Sequence, residues 1–247
     1  MSTFSVYFSP TGGTKKVADI LAAAYDKNYT AIDITENKTV LPCFNKDDTV
    51  IISMPVFGGR VPESALKPIR GVKGNGAKAI LVAVFGNRAI DDALVELEDT
   101  CRASGFEIIA GIEAVAEHSL ARIYGEGRPD TEDKKELISF VDTIKAANSH
   151  TPTFPGTRPY KDFKPSAMAL SLSDNCINCK LCADSCPVSA ISLNNISTVD
   201  AEKCFSCMHC VNVCPTKARD ITNESKEGIK LRLAQRAFAR KENKLYI

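Results

Sequence analysis

The chain has 247 residues, with 31 Lys and Arg against 30 Asp and Glu, for a formal charge of +1. That balance leaves no nucleic-acid footprint. No stretch is apolar for long enough to cross a membrane, and the start, MSTFSVYFSP, has neither the basic nor the apolar region of a secretory signal. The expectation is a soluble, cytoplasmic protein with room for one ordinary domain and a second, small one.

From the amino terminus, strand-like and helix-like patterns alternate. Thr3 to Phe8 reads as a strand, and Thr14 to Tyr25 puts Val17, Ile20, Leu21 and Ala24 on one helical face. Tyr29 to Ile34 and Val50 to Met54 read as strands, then Glu63 to Ile69 as a short helix. Ala79 to Phe85 is a nearly unbroken apolar strand, as in a sheet covered on both faces. A helix over Asp91 to Ser104, a fifth strand over Phe106 to Val115 and a helix over Thr131 to Ala147 complete the set. Such alternation predicts an α/β fold with a doubly wound parallel sheet of five strands.

Ligands of such sheets sit beyond the carboxyl ends of the strands, where three loops are unusual. Ser9-Pro10-Thr11-Gly12-Gly13-Thr14 joins the first strand to the first helix. Its hydroxyls, its glycine amides and the helix start suit a phosphate. It lacks the lysine of a triphosphate loop and the spaced glycines of a dinucleotide site, so a monophosphate is the better guess, with a surface turn as the plain alternative. After strands three and four come Pro55-Val56-Phe57-Gly58-Gly59-Arg60 and Phe85-Gly86-Asn87-Arg88. Each sets an aromatic ring beside glycine backbone that a flat ligand could approach, and Asn87 could bond a ring edge. Phe57 or Phe85 alone would read as ordinary core. The three loops together fit a flat, phosphorylated ligand. His118, Arg122 and Tyr124 follow strand five on the same edge, as plain surface polarity or as contacts to a substrate or cluster.

Residues 148–171 form a proline-rich linker whose Phe154, Tyr160 and Phe163 should dock onto a domain rather than leave a loose tether. Beyond it, Cys176, Cys179, Cys182 and Cys186 precede Pro187, and Cys204, Cys207, Cys210 and Cys214 precede Pro215. Two such runs are the bacterial pattern for a pair of [4Fe-4S] clusters, the fourth cysteine of each run serving the other cluster. Cys176, Cys179, Cys182 and Cys214 are thus expected on one cluster, and Cys204, Cys207, Cys210 and Cys186 on the other. A zinc ribbon fits poorly, since it wants pairs of cysteines across a longer spacer. A disulfide framework would require secretion. His209 lies inside the second run without an iron left to bind, and Cys101 reads as a small core residue. The segment should fold only around its metal sites. Such clusters are oxygen-sensitive as a class, which leans the source toward an anaerobe. The basic tail, residues 221–247, reads as a helix from Gly228 onward with Leu231, Ala234 and Phe238 on one side.

With SPTGGT after the first strand, and PVFGGRVP and FGNR after the third and fourth, the chain resembles flavodoxin, and as a whole the flavodoxin-ferredoxin fusions of anaerobic bacteria and archaea. The resemblance implies a short-chain flavodoxin-like domain over residues 1–147 and a ferredoxin-like two-cluster domain over residues 172–220. It also implies FMN, with Ser9, Thr11, Gly12, Gly13 and Thr14 on its phosphate. Pro55, Val56, Phe57, Gly58, Gly59, Arg60, Phe85, Gly86 and Asn87 would enclose its ring, with Asp91 nearby. The function expected is an electron carrier relaying single electrons between clusters, FMN and redox protein partners, wired within one chain or across a homodimer. The alternatives are an FMN-dependent reductase fed by its own clusters and, last, a sensor or structural protein.

Overall fold

A computed structural model describes residues 1–36, 38–147, 152–163 and 167–247. The linker residues 148–151 and 164–166 lie outside the described part. Strands β1 (Thr3–Tyr7), β2 (Thr30–Asp33), β3 (Thr49–Pro55), β4 (Lys78–Phe85) and β5 (Glu107–Val115) run parallel in the order β2-β1-β3-β4-β5. That is the flavodoxin-like order, whose crossovers put helices on both faces. Helices α1 (Gly13–Tyr25), α2 (Glu63–Arg70), α3 (Ala93–Ala103) and α4 (Thr131–Ala146) supply those layers. β3 is buried along its whole length, which explains its unbroken apolar run. Two cores result, one around Ile52, Leu81 and Leu94 and one around Leu21, Val82 and Val141. Each fully buried side chain of this size contributes roughly 1.5–3 kcal/mol.

The tail departs from the expected helix. After α7 (Asn223–Leu233) the chain leaves helical geometry, and Lys244–Tyr246 forms β8, antiparallel to β5. The open edge of β5 and a set of side-chain partners override the helical pattern. Asn243 accepts from the Val115 amide and donates to Asp133 and Glu136, while Arg240 pairs with Asp130, which caps α4. The Tyr246 hydroxyl donates to Glu113, and its ring meets Phe154 edge-on at 6.0 Å. The sheet therefore has six strands, with its β5 edge closed by the tail. Phe238, expected on a packed helix face, is exposed instead.

The cysteine-rich part contains β6 (Leu170–Leu172) paired with β7 (Arg219–Ile221) and two single-turn helices, α5 (Leu181–Asp184) and α6 (His209–Asn212). Its two halves repeat at an offset of 28 residues in backbone as well as in cysteines. Asn178, Lys180 and Ser189 have positive φ, and so do Ser206, Met208 and Lys217. Left-handed residues at these points curl each loop so that successive amides and thiols converge.

The linker aromatics are docked. Phe154 lies against Gly111, where no side chain would fit, Tyr160 donates its hydroxyl to Asp99, and Phe163 covers Gly58.

Candidate functional site

The folded repeats bring the eight cysteines around two small cavities. Cys176, Cys179, Cys182 and Cys214 line one, together with Leu172, Ile196 and Arg219. Cys204, Cys207, Cys210 and Cys186 line the other, with Pro187, Val188 and Phe205. The fourth cysteine of each run thus stands at the other run's cavity. No cysteine is in a disulfide. Among the described residues no three His, Cys, Asp or Glu side chains are gathered as for one metal ion. Two sets of four thiols around separate cavities carry the ligand count of two four-iron clusters.

Electrostatics point the same way. Burial pushes the Cys207 thiol far up and that of Cys210 to about 12. Without metal, Cys204, Cys207 and Cys210 are held as thiols that must release protons to ligate. At Cys214 burial opposes ionisation, but the Arg219 amide, the Thr216 hydroxyl and the amides of Ala218 and Thr216 outweigh it and depress the thiol. Arg219 is only 2% exposed, and its Nη2 donates to the Ile196 carbonyl while its Nε has no partner. No carboxylate forms an ion pair with it among the described residues. A buried guanidinium without a counterion is costly. Beside Cys204 and Cys210 and on the wall of the other cavity, it fits an anionic cluster.

The two repeats meet different surroundings. In the second, Phe205 packs on Phe8 at 6.5 Å and edge-on to Phe57 at 5.7 Å. His209, 8% exposed, bonds from Nδ1 to the Pro10 carbonyl at 3.0 Å, and its Nε2 is buried without a hydrogen bond. The second repeat is therefore seated on the phosphate loop and on the loop after β3. In the first repeat the matching residues, Ile177, Lys180 and Leu181, face solvent.

At the phosphate end of the expected FMN site, Gly12 has φ 88° and open space around it, next to the start of α1. Ser9 Oγ accepts from the Lys15 amide at 2.8 Å, which shapes the turn, while Thr14 is buried. At the ring end the slot is closed. The Asp92 amide bonds the Gly59 carbonyl at 3.0 Å, and the Asp91 carboxylate lies on Gly59 while pairing with Arg88 and Lys161, each at 2.5 Å. Arg60 pairs with Glu96 at 2.6 Å and stacks on Tyr160. Asn87, 2% exposed, donates to the carbonyls of Ala237 and Ala239 and accepts from the Lys241 amide. It clamps the tail rather than bonding a ring edge. Pro55 and Phe85 are buried in the sheet edge, Val56 is half-buried there, and Gly86 is covered by His118. The residues present fit a phosphate but leave no slot for a flat ring between these two loops.

Behind Gly86, His118 Nδ1 accepts from the amides of Leu120 and Ala121. Burial, with Arg88 nearby, pushes this imidazole down to about 4. The Tyr124 hydroxyl donates to the Lys230 carbonyl, and Cys101 lies fully buried in the core. Sequence reasoning missed the parts that close the slot: the tail around 237–241, Lys161 and Phe205. One signal was present, an aromatic at Phe205 where the first repeat carries Ile177.

Residues 175–218 match the family of 4Fe-4S dicluster domains, a span that holds all eight cysteines. No curated protein matches the chain. Among solved structures, flavodoxins align with its amino-terminal part. The one from Megasphaera elsdenii shares 20% identity at a TM-score of 0.39, covering 59% of this chain and 100% of that one. Flavodoxin 2 from Bacillus cereus shares 14% at 0.43, covering 59% and 98%. A flavodoxin from the domain Archaea shares 15% at 0.41, covering 59% and 99%. The fold assignment itself rests on the strand order and the crossovers. The chain thus joins a parallel sheet of flavodoxin-like strand order to a segment that matches the 4Fe-4S dicluster family. No described helix is long and apolar enough to cross a membrane.

Proposed function

We propose that the chain is an electron carrier with an outer and a docked cluster. Cys176, Cys179, Cys182 and Cys214 hold the outer one; Cys204, Cys207, Cys210 and Cys186 hold the docked one. The clusters supply one-electron chemistry. The chain's residues do the rest. Buried Ile191, Ile196 and Met208 exclude water, and the amide of Ala190, 3.3 Å from Cys186 Sγ, donates to a ligand sulfur. Redox partner proteins meet the outer repeat, where Cys179 is exposed beside Ile177 and Leu181. The domains are residues 1–147, the linker 148–171, the dicluster part 172–220 and the tail 221–247.

The observation that carries this reading is the pair of four-cysteine cavities with crossed fourth members. FMN, which the likeness to flavodoxins implies, is supported at its phosphate end and not at its ring end. An anaerobic reductive titration followed by EPR tests the carrier reading. The wild type should show two reducible clusters. Cys214→Ser should lose the outer signal and Cys186→Ser the docked one. Exchange of those two losses, or a metal analysis that finds zinc, would overturn the assignment.

A further inference from the structure

A cavity of about 560 Å3 lies where the phosphate loop, the loop after β5, the dicluster domain and α7 meet. This is within the usual range for small-molecule sites. Its charged lining is lopsided. Arg122, Lys217, Arg219, Lys226 and Lys230 line it with Asp220 as the one acid of the lining, while Arg122 also pairs with Glu117 at 3.5 Å and Lys230 with Glu227 at 2.6 Å. Lys226 pairs with that aspartate at 2.5 Å, whereas Lys217 and Arg219 have no carboxylate partner among the described residues. Leu120, Ile123, Met208, Val211 and Ile221 make an apolar wall. Thr11 of the phosphate loop forms one side, and Cys214, at the outer cluster's cavity, forms another.

We propose that this cavity, and not the closed slot between the loops after β3 and β4, seats a phosphate-bearing ligand with a flat apolar body. Lys217, which has no carboxylate partner among the described residues, and the net positive lining around it attract an anion, and a partly enclosed site holds it more firmly than an open surface does. The apolar wall gives a ring system area to bury. The loop that sequence marks for a phosphate borders this space through Thr11, while the ring end of the expected site is filled by Asp91, Asn87 with its tail, Phe163 and Phe205. A ligand here would also lie against a residue that ligates the outer cluster. The inference rests on the electron-carrier reading for that last point alone.

The test uses the anaerobically reconstituted holoprotein and FMN as the probe, followed by quenching of flavin fluorescence. Saturable binding is expected, with riboflavin, which lacks the phosphate, at least tenfold weaker. The double variant Lys217→Glu, Lys226→Glu should weaken FMN at least tenfold, whereas Phe57→Ala should change it less than twofold. If the double variant loses its cluster absorbance, Ile123→Glu at the 58% exposed rim replaces it, with the same loss expected. No saturable binding, equal binding of riboflavin, or loss of binding in Phe57→Ala with the cavity variants unaffected overturns the proposal. In each of those results the clusters of the wild type remain redox-active, whereas failure of the carrier reading shows as absent or silent clusters before any flavin is added.

Discussion

Two copies of one cysteine pattern, folded alike, sit in unlike places. At the matching positions 177/205, 180/208 and 181/209 the first repeat carries Ile, Lys and Leu, of which Ile177 is 65% and Leu181 41% exposed. The second carries Phe205, Met208 and His209, all at most 9% exposed and turned against the sheet domain or the core beside it. The cysteines, prolines and left-handed residues are shared because both loops must wrap a cluster. The residues between them are free to differ, and they decide which cluster is docked and which meets solvent. The difference shows that ligand spacing specifies the metal centre while the intervening positions specify its surroundings.

The sharpest way to break this comparison is to remove the iron. With a chelator under anaerobic conditions, residues 175–218 should lose their structure while the parallel sheet persists, because the small domain's buried cluster of apolar residues is slight. Limited proteolysis should cut within that span alone. Survival of both repeats without metal would mean that packing, not ligation, holds them.

Next in size is a paired substitution. Phe205→Ala should destabilise the protein by about 3 kcal/mol, whereas Ile177→Ala should cost about 0.5 kcal/mol or less, read from denaturant midpoints of the holoprotein. Equal effects would erase the distinction between docked and outer repeats.

The wall behind Gly86 gives a pH dependence. His118 is held neutral in the fold with its pKa at about 4, while an unfolded histidine takes up a proton near pH ~6.5. The unfolded state therefore binds more protons between these values. Stability should be complete above about pH 6.5 and fall as pH drops toward 4, by up to about 3 kcal/mol. His118→Gln should flatten that slope; an unchanged slope would assign it to other groups.

The smallest expected effect concerns Arg219. In Arg219→Gln molecules that retain both clusters, loss of the buried cation should shift reduction equilibria toward the oxidised state about tenfold, near 60 mV for one electron. Arg219→Lys should fall between. A fall in cluster content without any change in potential would make Arg219 a packing residue only.

Much of this was legible in the sequence. The five parallel strands and four flanking helices lie within a few residues of the expected spans; burial leaves β3, β4 and β5 an apolar signature that tertiary context cannot disguise, whereas β2, mostly exposed, is a short edge strand. The two cysteine runs declared their centres by spacing. The tail is helical through Leu233 and departs from the expected helix only beyond it: Leu231, Ala234 and Phe238 keep a helical period, while the partners that pull the chain into β8 lie about 130 residues away on β5. Asn87 has the right chemistry for a ring edge, yet the tail's carbonyls and amide satisfy it first. Local pattern cannot reveal a competition decided by distant backbone groups.

Hydrogen exchange of the anaerobic holoprotein, read by mass spectrometry, tests the central distinction most directly. The account predicts strong protection of residues 204–212 together with the phosphate loop 9–14, faster exchange of residues 176–184, and loss of the first two protections together in Phe205→Ala. Equal exchange of the two repeats, or a phosphate loop indifferent to Phe205→Ala, would contradict it.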